Sequence, residues 1–322
     1  MARRSRNKTR TAKVRAFGRV LVLADGEKGA VDELLLEIEP WLHQRAESVK
    51  VERDLYAYDE QSAAARRKRE VPDLVVVLGG DGAILAAVRA FQDTPVPTIG
   101  INFGRVGFLA SVEAGQWLEA LEEVQRGRGV VEKRMRLSVE LHGAKTPTAV
   151  ALNDAVITRG AFQGMLSIAL KVGGHWVTNY RADGLVVATP SGSTAYSMAA
   201  GGPILAPSMQ AFSVSPVSPQ ALSHRPLVVD GGETLELHVT RATGLTTLVV
   251  DGHGFFPMEE GDFVRVKRHP VPYPLLSRPG FDPYTRLRDR LGWRGSIEPD
   301  VFPDDDLPPK RREVDPGHGG VL

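Results

Sequence analysis

The chain has 322 residues, with 40 Lys and Arg against 39 Asp and Glu for a net charge of +1. That balance gives no global pull toward nucleic acid or an anionic membrane surface, and 42% hydrophobic with 25% charged residues is an ordinary globular composition. With no cysteine, a disulfide framework, a thiol nucleophile and a cysteine metal site are all excluded, while the length accommodates two domains, each with its own core.

The first fifteen residues carry seven Lys or Arg and no acid, which reads as a solvated, disordered tail (1–16) rather than a nucleic-acid arm. The apolar stretch that follows, 20–24, is too short for the core of a signal peptide. No run reaches the roughly 18 apolar residues of a membrane span. The expected location is the cytoplasm, with no membrane partner.

A strand is expected at 20–24 and a helix at 31–45, where Leu34, Leu35, Ile38, Trp41 and Leu42 recur at helical spacing. Asp32 and Glu33 suit the first turn of that helix, and Pro40 threatens to kink it. A charged stretch, 61–70, precedes the apolar run Leu74-Val75-Val76-Val77-Leu78. A continuous apolar run fits a strand buried on both faces of a parallel sheet. The order strand, helix, strand, helix predicts a three-layer α/β domain over 17–125, with its ligand beyond the carboxyl ends of the strands.

Past about residue 130 the pattern changes to alternation, at 135–141, 165–172, 234–239 and 263–266, with turns at Gly173-Gly174 and Gly231-Gly232. This is the pattern of an antiparallel β domain, 126–272. A helical insertion is expected from Ala195 to Ala200, with Ser193 or Thr194 as its N-cap. A short helix at 284–293 lies in a segment, 273–295, that can return to the first domain. The Pro-, Asp- and Lys/Arg-rich remainder, 296–322, reads as a disordered tail, its Asp304-Asp305-Asp306 run as solvated charge.

Five segments carry chemistry. Gly79-Gly80-Asp81-Gly82 ends the buried strand and opens a helix. The glycines let the backbone turn sharply and offer its amides to phosphate oxygens, and the positive helix end points to the same place. A carboxylate in the middle of an anion site suits a base or metal-steering group in phosphoryl transfer, although an Asp-Gly turn between two elements has the same composition. In the second segment, 100–109, three glycines surround Asn102, and Phe108 can offer a ring to a flat base; a tight connection with Phe108 packed inward fits equally. The Asn153-Asp154 pair can hold paired ribose hydroxyls, or be a turn.

The fourth segment, Asp183 to Tyr196, runs an apolar strand into Pro190-Ser191-Gly192-Ser193-Thr194, whose hydroxyls and amides form a polar surface. The fifth, Asp251-Gly252-His253, is by itself a strand ending in a turn.

Together the five segments resemble the NAD kinase family over roughly residues 17–295. The family's GGDGT appears as Gly79-Gly80-Asp81-Gly82-Ala83, and its Asn-containing loop ending in Gly-Phe-Leu as Asn102 with Gly107-Phe108-Leu109. Its Asn-Glu/Asp pair matches Asn153-Asp154, and its Thr-Pro-x-Gly-Ser-Thr-Ala-Tyr block matches Thr189 to Tyr196. Ser218-Pro219 and Leu222-Ser223-His224-Arg225-Pro226-Leu227 are similar too. GGDG alone is shared with lipid kinases and phosphofructokinases; the five segments in order are specific. Two departures stand out, Ala83 where the family usually has Thr and His253 where it often has Gln.

The resemblance implies a two-domain fold and transfer of the γ-phosphoryl of ATP, or a phosphoryl of polyphosphate, to the 2′-hydroxyl of the adenosine ribose of NAD. It implies Asp81 as the catalytic group, with Gly79, Gly80 and Gly82 around the donor phosphates. Magnesium would be held by the donor and water, with no metal ligands from the protein. NAD would meet Asn102, Phe108, Asn153, Asp154, Ser191, Thr194, Ala195 and Tyr196. Asp183 would accept from the nicotinamide carboxamide, and Arg181 and Asp251 are further candidates. Family members are usually homo-oligomers, so a dimer or tetramer is expected. The competing readings are a lipid kinase of the diacylglycerol type and a non-catalytic NAD(H) sensor.

Overall fold

Strands β1 (Arg19–Ala24), β2 (Ser48–Glu52), β3 (Leu74–Leu78) and β4 (Thr98–Asn102) lie side by side in the order β2-β1-β3-β4, all parallel. The computed structural model describes residues 17–26, 29–55, 58, 70–104, 107–143, 148–160, 164–242 and 244–293. The basic run 1–16, most of the charged stretch 61–70 and the tail 296–322 lie outside these residues.

Helices cover both faces of this sheet. On one side α1 (Gly29–His43) turns Val31, Leu35, Ile38 and Leu42 onto Val20, Val22, Val76 and Leu78. On the other, α2 (Asp81–Ala90) packs Ala83, Ile84, Ala86 and Ala87 with Leu21, Leu23, Val75 and Val77. Because alternate residues of β3 serve opposite layers, all five are buried, which is the physical reason for the unbroken apolar run. Helix α1 passes through Pro40 without ending. The carbonyl that Pro40 cannot bond is that of Leu36, whose side chain stands in solvent, so water can take its place.

Short β5 (Val112–Glu113) pairs with the end of β4, α3 (Trp117–Gln125) joins the α1 layer, and β6 (Val130–Arg134) returns to the same sheet. The first sheet therefore extends past residue 125.

The chain then builds two antiparallel sheets. One contains β7 (Leu137–His142), β8 (Thr148–Ala151), β10 (Leu166–Val172), β11 (His175–Ala182), β15 (Leu235–Arg241) and β18 (Phe263–Arg268). The other contains β9 (Asp154–Arg159), β12 (Gly184–Ala188), β13 (Ala211–Val217), β14 (Leu227–Asp230), β16 (Thr246–Val250) and β17 (Gly254–Met258). Alternating residues of both, among them Val139, Ile168, Leu237 and Val264 against Ile157, Leu185, Phe212 and Leu248, share one core. Between β12 and β13 lies the short helix α4 (Tyr196–Ala199).

The last strand, β19 (Tyr273–Ser277), leaves the sandwich and inserts between β4 and β6 of the first sheet. The chain thus crosses between the two parts twice, at 135–136 and 269–272. Arg136, fully buried, ties both crossings to the end of α2. Its Nε donates to the Val271 carbonyl at 2.9 Å, its Nη1 to the Gln92 carbonyl at 2.8 Å, and its Nη2 meets His269 Nδ1 at 3.1 Å.

From Tyr284 the chain forms a separate unit. Helix α5 (Pro283–Leu291) carries Arg288 and Arg290 in its last turn, where cations offset the negative end of the helix dipole.

Candidate active site

The loop from β3 into α2 is built around close approaches. A Cβ on Gly79 would stand 2.6 Å from the Ala83 methyl, so only glycine lets the strand end lie against the helix it feeds. At Gly80 and Gly82 the opposite holds, with nothing within 4 Å of where a Cβ would be. Gly80 is the N-cap and supplies no side-chain cap, leaving the first-turn amides of α2 to an outside acceptor. Ala83 is buried in the α2-side core. The family's hydroxyl at this position would therefore lie behind the loop, not on its open side.

Asp81 is the first residue of α2, and its carboxylate reaches the loop that follows β4. Oδ2 accepts the Phe108 amide at 2.8 Å, while Oδ1 accepts those of Leu109 at 3.0 Å and Ala110 at 3.1 Å. Gly107 has to be glycine, since a Cβ there would run into this carboxylate. Asn102 Oδ1 accepts the Gly104 amide at 3.1 Å and so bends the start of the same loop. Two of the segments marked by the sequence are thus one hydrogen-bonded unit. An ionised carboxylate has about four acceptor positions and three are filled, which leaves Oδ2 one for a hydroxyl.

A second carboxylate repeats the arrangement on the next loop. Asp251, buried at the end of β16, accepts the amides of Leu152 at 2.7 Å, Asn153 at 2.8 Å and Asp154 at 3.0 Å. Its own amide returns a bond to the Asp154 carbonyl at 3.0 Å. Asp251 adopts a left-handed backbone, φ 48°, which Asp tolerates better than most residues. The carboxylate of Asp251, a candidate NAD contact in the sequence, is turned inward onto these backbone amides.

Leu152 is buried among Ala83, Ile84, Ala86 and Ala87, and this seats the Asn153-Asp154 loop against α2. Asn153 Oδ1 is buried and has no protein partner. Burial, reinforced by repulsion from Asp251, pushes the Asp154 carboxyl up to about 7.

The block 189–196 is knitted to the same loop. Thr189 donates its amide to the Asn153 carbonyl at 2.8 Å and its hydroxyl to the Leu152 carbonyl at 2.6 Å. Gly192 approaches Asn153 so closely that a Cβ would overlap the Asn153 carbonyl. Ser193 and Thr194 do not cap α4. Residues 192–194 form a 3₁₀ turn, and Ala195 precedes α4 without a side-chain bond. The hydroxyls instead turn back, Ser193 to the Pro190 carbonyl at 2.7 Å and Thr194 to the Ser191 carbonyl at 3.1 Å. The tight turn places the carbonyls within their reach, so i−3 bonding replaces capping. Ser191 is buried, Thr194 and Ala195 are partly exposed, and Tyr196 is exposed.

Asp183 lies at the start of β12, where its Oδ1 accepts from Arg159 Nε at 2.7 Å, so one of its two oxygens is already engaged. Arg181 stands exposed on the edge strand β11, and His253 is exposed in the turn after β16. The sequence reading did not single out three residues, Arg134, Arg136 and Arg159. Buried Arg134 pairs with Glu132 at 2.7 Å and reaches Ser191 Oγ at 3.5 Å. No local signal marks them, because apart from Glu132 their partners are distant in sequence.

An open helix N-terminus with a clamped carboxylate, set against a β sandwich that presents an amide and a second carboxylate, defines a two-domain phosphotransferase. Its family follows from comparison. The ATP-NAD kinase N-terminal domain matches residues 3–129 and the ATP-NAD kinase C-terminal domain residues 152–277. The NAD kinase of Rhodopirellula baltica is 39% identical over 281 residues, 87% of this chain and 88% of that one. That of Acinetobacter baylyi is 40% identical over 240 residues, 74% of this chain and 78% of its own. Among solved structures, a yeast NADH kinase complexed with NADH shares the fold at TM-score 0.75 and 23% identity, covering 88% of this chain and 90% of its own. An Archaeoglobus fulgidus NAD kinase in complex with ATP has TM-score 0.65 at 26% identity, covering 85% of this chain and 97% of that one. The chain belongs to the NAD kinase family.

Proposed function

We propose that the enzyme transfers the γ-phosphoryl of ATP to the 2′-hydroxyl of the adenosine ribose of NAD, with Asp81 as the group that receives and orients that hydroxyl. The observation that carries this is the one acceptor position left on Oδ2 after three amides have fixed the carboxylate. Phosphoryl transfer asks mainly for alignment and charge stabilisation, and a clamped carboxylate beside an open helix N-terminus supplies both. Gly79 provides the turn, while the open sides at Gly80 and Gly82 leave room for donor phosphates.

On this reading Asn153 and Asp154 hold ribose hydroxyls, and Phe108, Thr194, Ala195 and Tyr196 surround the rest of the dinucleotide. Asp183 retains one oxygen for the carboxamide. Magnesium enters with the donor as part of the substrate. On this reading phosphate oxygens and water would be its ligands. A dimer or tetramer and a cytoplasmic location belong to the same reading. No helix among the described residues is long and apolar enough to cross a membrane.

The test is to incubate the protein with NAD, magnesium and either ATP or polyphosphate, and to follow NADP with an NADP-specific dehydrogenase. NADP formation identifies the activity and its donor. NAD binding without NADP formation would replace the kinase by a sensor, and absence of NAD binding would overturn this reading of the site.

A further inference from the structure

We propose that Asp251 is a positioning residue for the acceptor. Its carboxylate fixes the backbone of the Asn153-Asp154 loop, and its negative charge bears on the Asp154 carboxyl that meets the ribose. The inference rests on the reading of this loop as part of the NAD site.

Three successive amides, those of Leu152, Asn153 and Asp154, converge on one buried carboxylate 97 to 99 positions away in the chain. Three donors on two oxygens leave no freedom for the loop to rotate. Asn153 Oδ1, buried and without a protein partner, and the Asp154 side chain therefore project in directions set by Asp251. Thr189 and Gly192 close on the same loop from the other side.

The pair also decides where a proton resides. Burial pushes the Asp251 carboxyl upward, and the three amides and the charge of Arg89 oppose it. Asp154 has no such donors, and burial together with Asp251 raises its carboxyl to about 7. The three amides thus favour the charged form of Asp251, and Asp154 lacks that support. Below that value Asp154 is an acid; above it, a carboxylate able to accept from ribose hydroxyls. NAD binding should tighten as pH rises, by roughly tenfold between about pH 6 and about pH 8 for a single ionisation centred there.

Calorimetric titration with NAD alone, without a nucleotide donor, reads this directly. The wild type should show the roughly tenfold gain, and Asp154→Asn should bind weakly with a flat profile. Asp251→Asn should bind more weakly, with its inflection moved to lower pH, because the like charge is gone while the burial remains. A purely scaffolding Asp251 would lower affinity without moving the inflection. Should Asp251→Asn fail to fold, hydrogen exchange of the wild type still tests the clamp, since the amides of Leu152 to Asp154 should exchange more slowly than those of the exposed turn at Gly252 and His253. A flat wild-type profile, an unchanged slope in Asp154→Asn, or rapid exchange at Leu152 to Asp154 would each overturn the proposal. Absence of any NAD binding by the wild type would instead overturn the reading on which it rests.

Discussion

The Asp81 carboxylate and the Phe108 amide, 2.8 Å apart, join the glycine loop at the end of β3 to the Asn102 loop at the end of β4. Two loops of the candidate site are therefore coupled through one side chain. A substitution at Asp81 removes a chemical group and loosens a loop together, and the two effects can be separated by measuring turnover, binding and stability side by side.

Asp81→Asn should lower kcat by about two to four orders of magnitude, the range of a lost acid–base group, while leaving NAD affinity largely intact. An Asn still offers one oxygen to the amides of 108–110 but turns an NH₂ toward the rest, so stability should fall by about 1–3 kcal/mol. NADP formation, NAD titration and thermal unfolding give the three values. Loss of NAD binding in step with loss of fold would make Asp81 a scaffold residue only.

At Gly107 the added methyl of Gly107→Ala would meet the Asp81 carboxylate. The loop must then shift, and turnover should fall at least about tenfold, since catalytic geometry tolerates little displacement. Unchanged kcat would show that the loop can move without disturbing Asp81.

Ala83→Thr restores the residue more usual in the family. The position is buried against Gly79 and the α2-side core, so the hydroxyl should not reach the donor. KM for ATP should stay within about threefold, less than a hydrogen bond to a charged group of about 1.5–3 kcal/mol would move it. A larger fall would place the hydroxyl on the phosphates.

Arg136→Met should cost about 1–3 kcal/mol for each buried carbonyl left unsatisfied, because the Gln92 and Val271 carbonyls lose their donor. Denaturant unfolding at the pH of maximum stability measures it. A cost under about 1 kcal/mol, the worth of an exposed contact, would mean that the crossings hold without this side chain.

Asp154→Asn should stabilise the fold while harming the site. The carboxyl rises from an ordinary 3.8 to about 7 in the folded protein. Its contribution to stability is therefore fully present below the unfolded value and is lost as pH climbs through about 7. The advantage of the Asn variant in thermal unfolding should be near zero at about pH 4 and largest above about pH 7. There it approaches an upper bound of about 4 kcal/mol. Equal melting temperatures for the two proteins above about pH 7 would show that Asp154 is not held against its charge.

Local chemistry in the sequence was enough to mark the elements that carry the site. The run Leu74 to Leu78 spelled a strand buried on both faces because each residue serves one of two helix layers. Gly79 and Gly107 were legible as sites of close approach, although what each one approaches was not. Tertiary structure decided the partners. Asp251 looked like a turn residue or a ligand contact, and became the clamp of a loop about a hundred positions earlier. Ser193 and Thr194 looked like capping groups, and their hydroxyls instead bond carbonyls within the block, while that of Thr189 bonds the Leu152 carbonyl. Periodicity and turn chemistry act over a few residues and can be read along a chain. A hydrogen bond between side chain and distant backbone depends on which strands lie side by side, and that is fixed only when the sheets close.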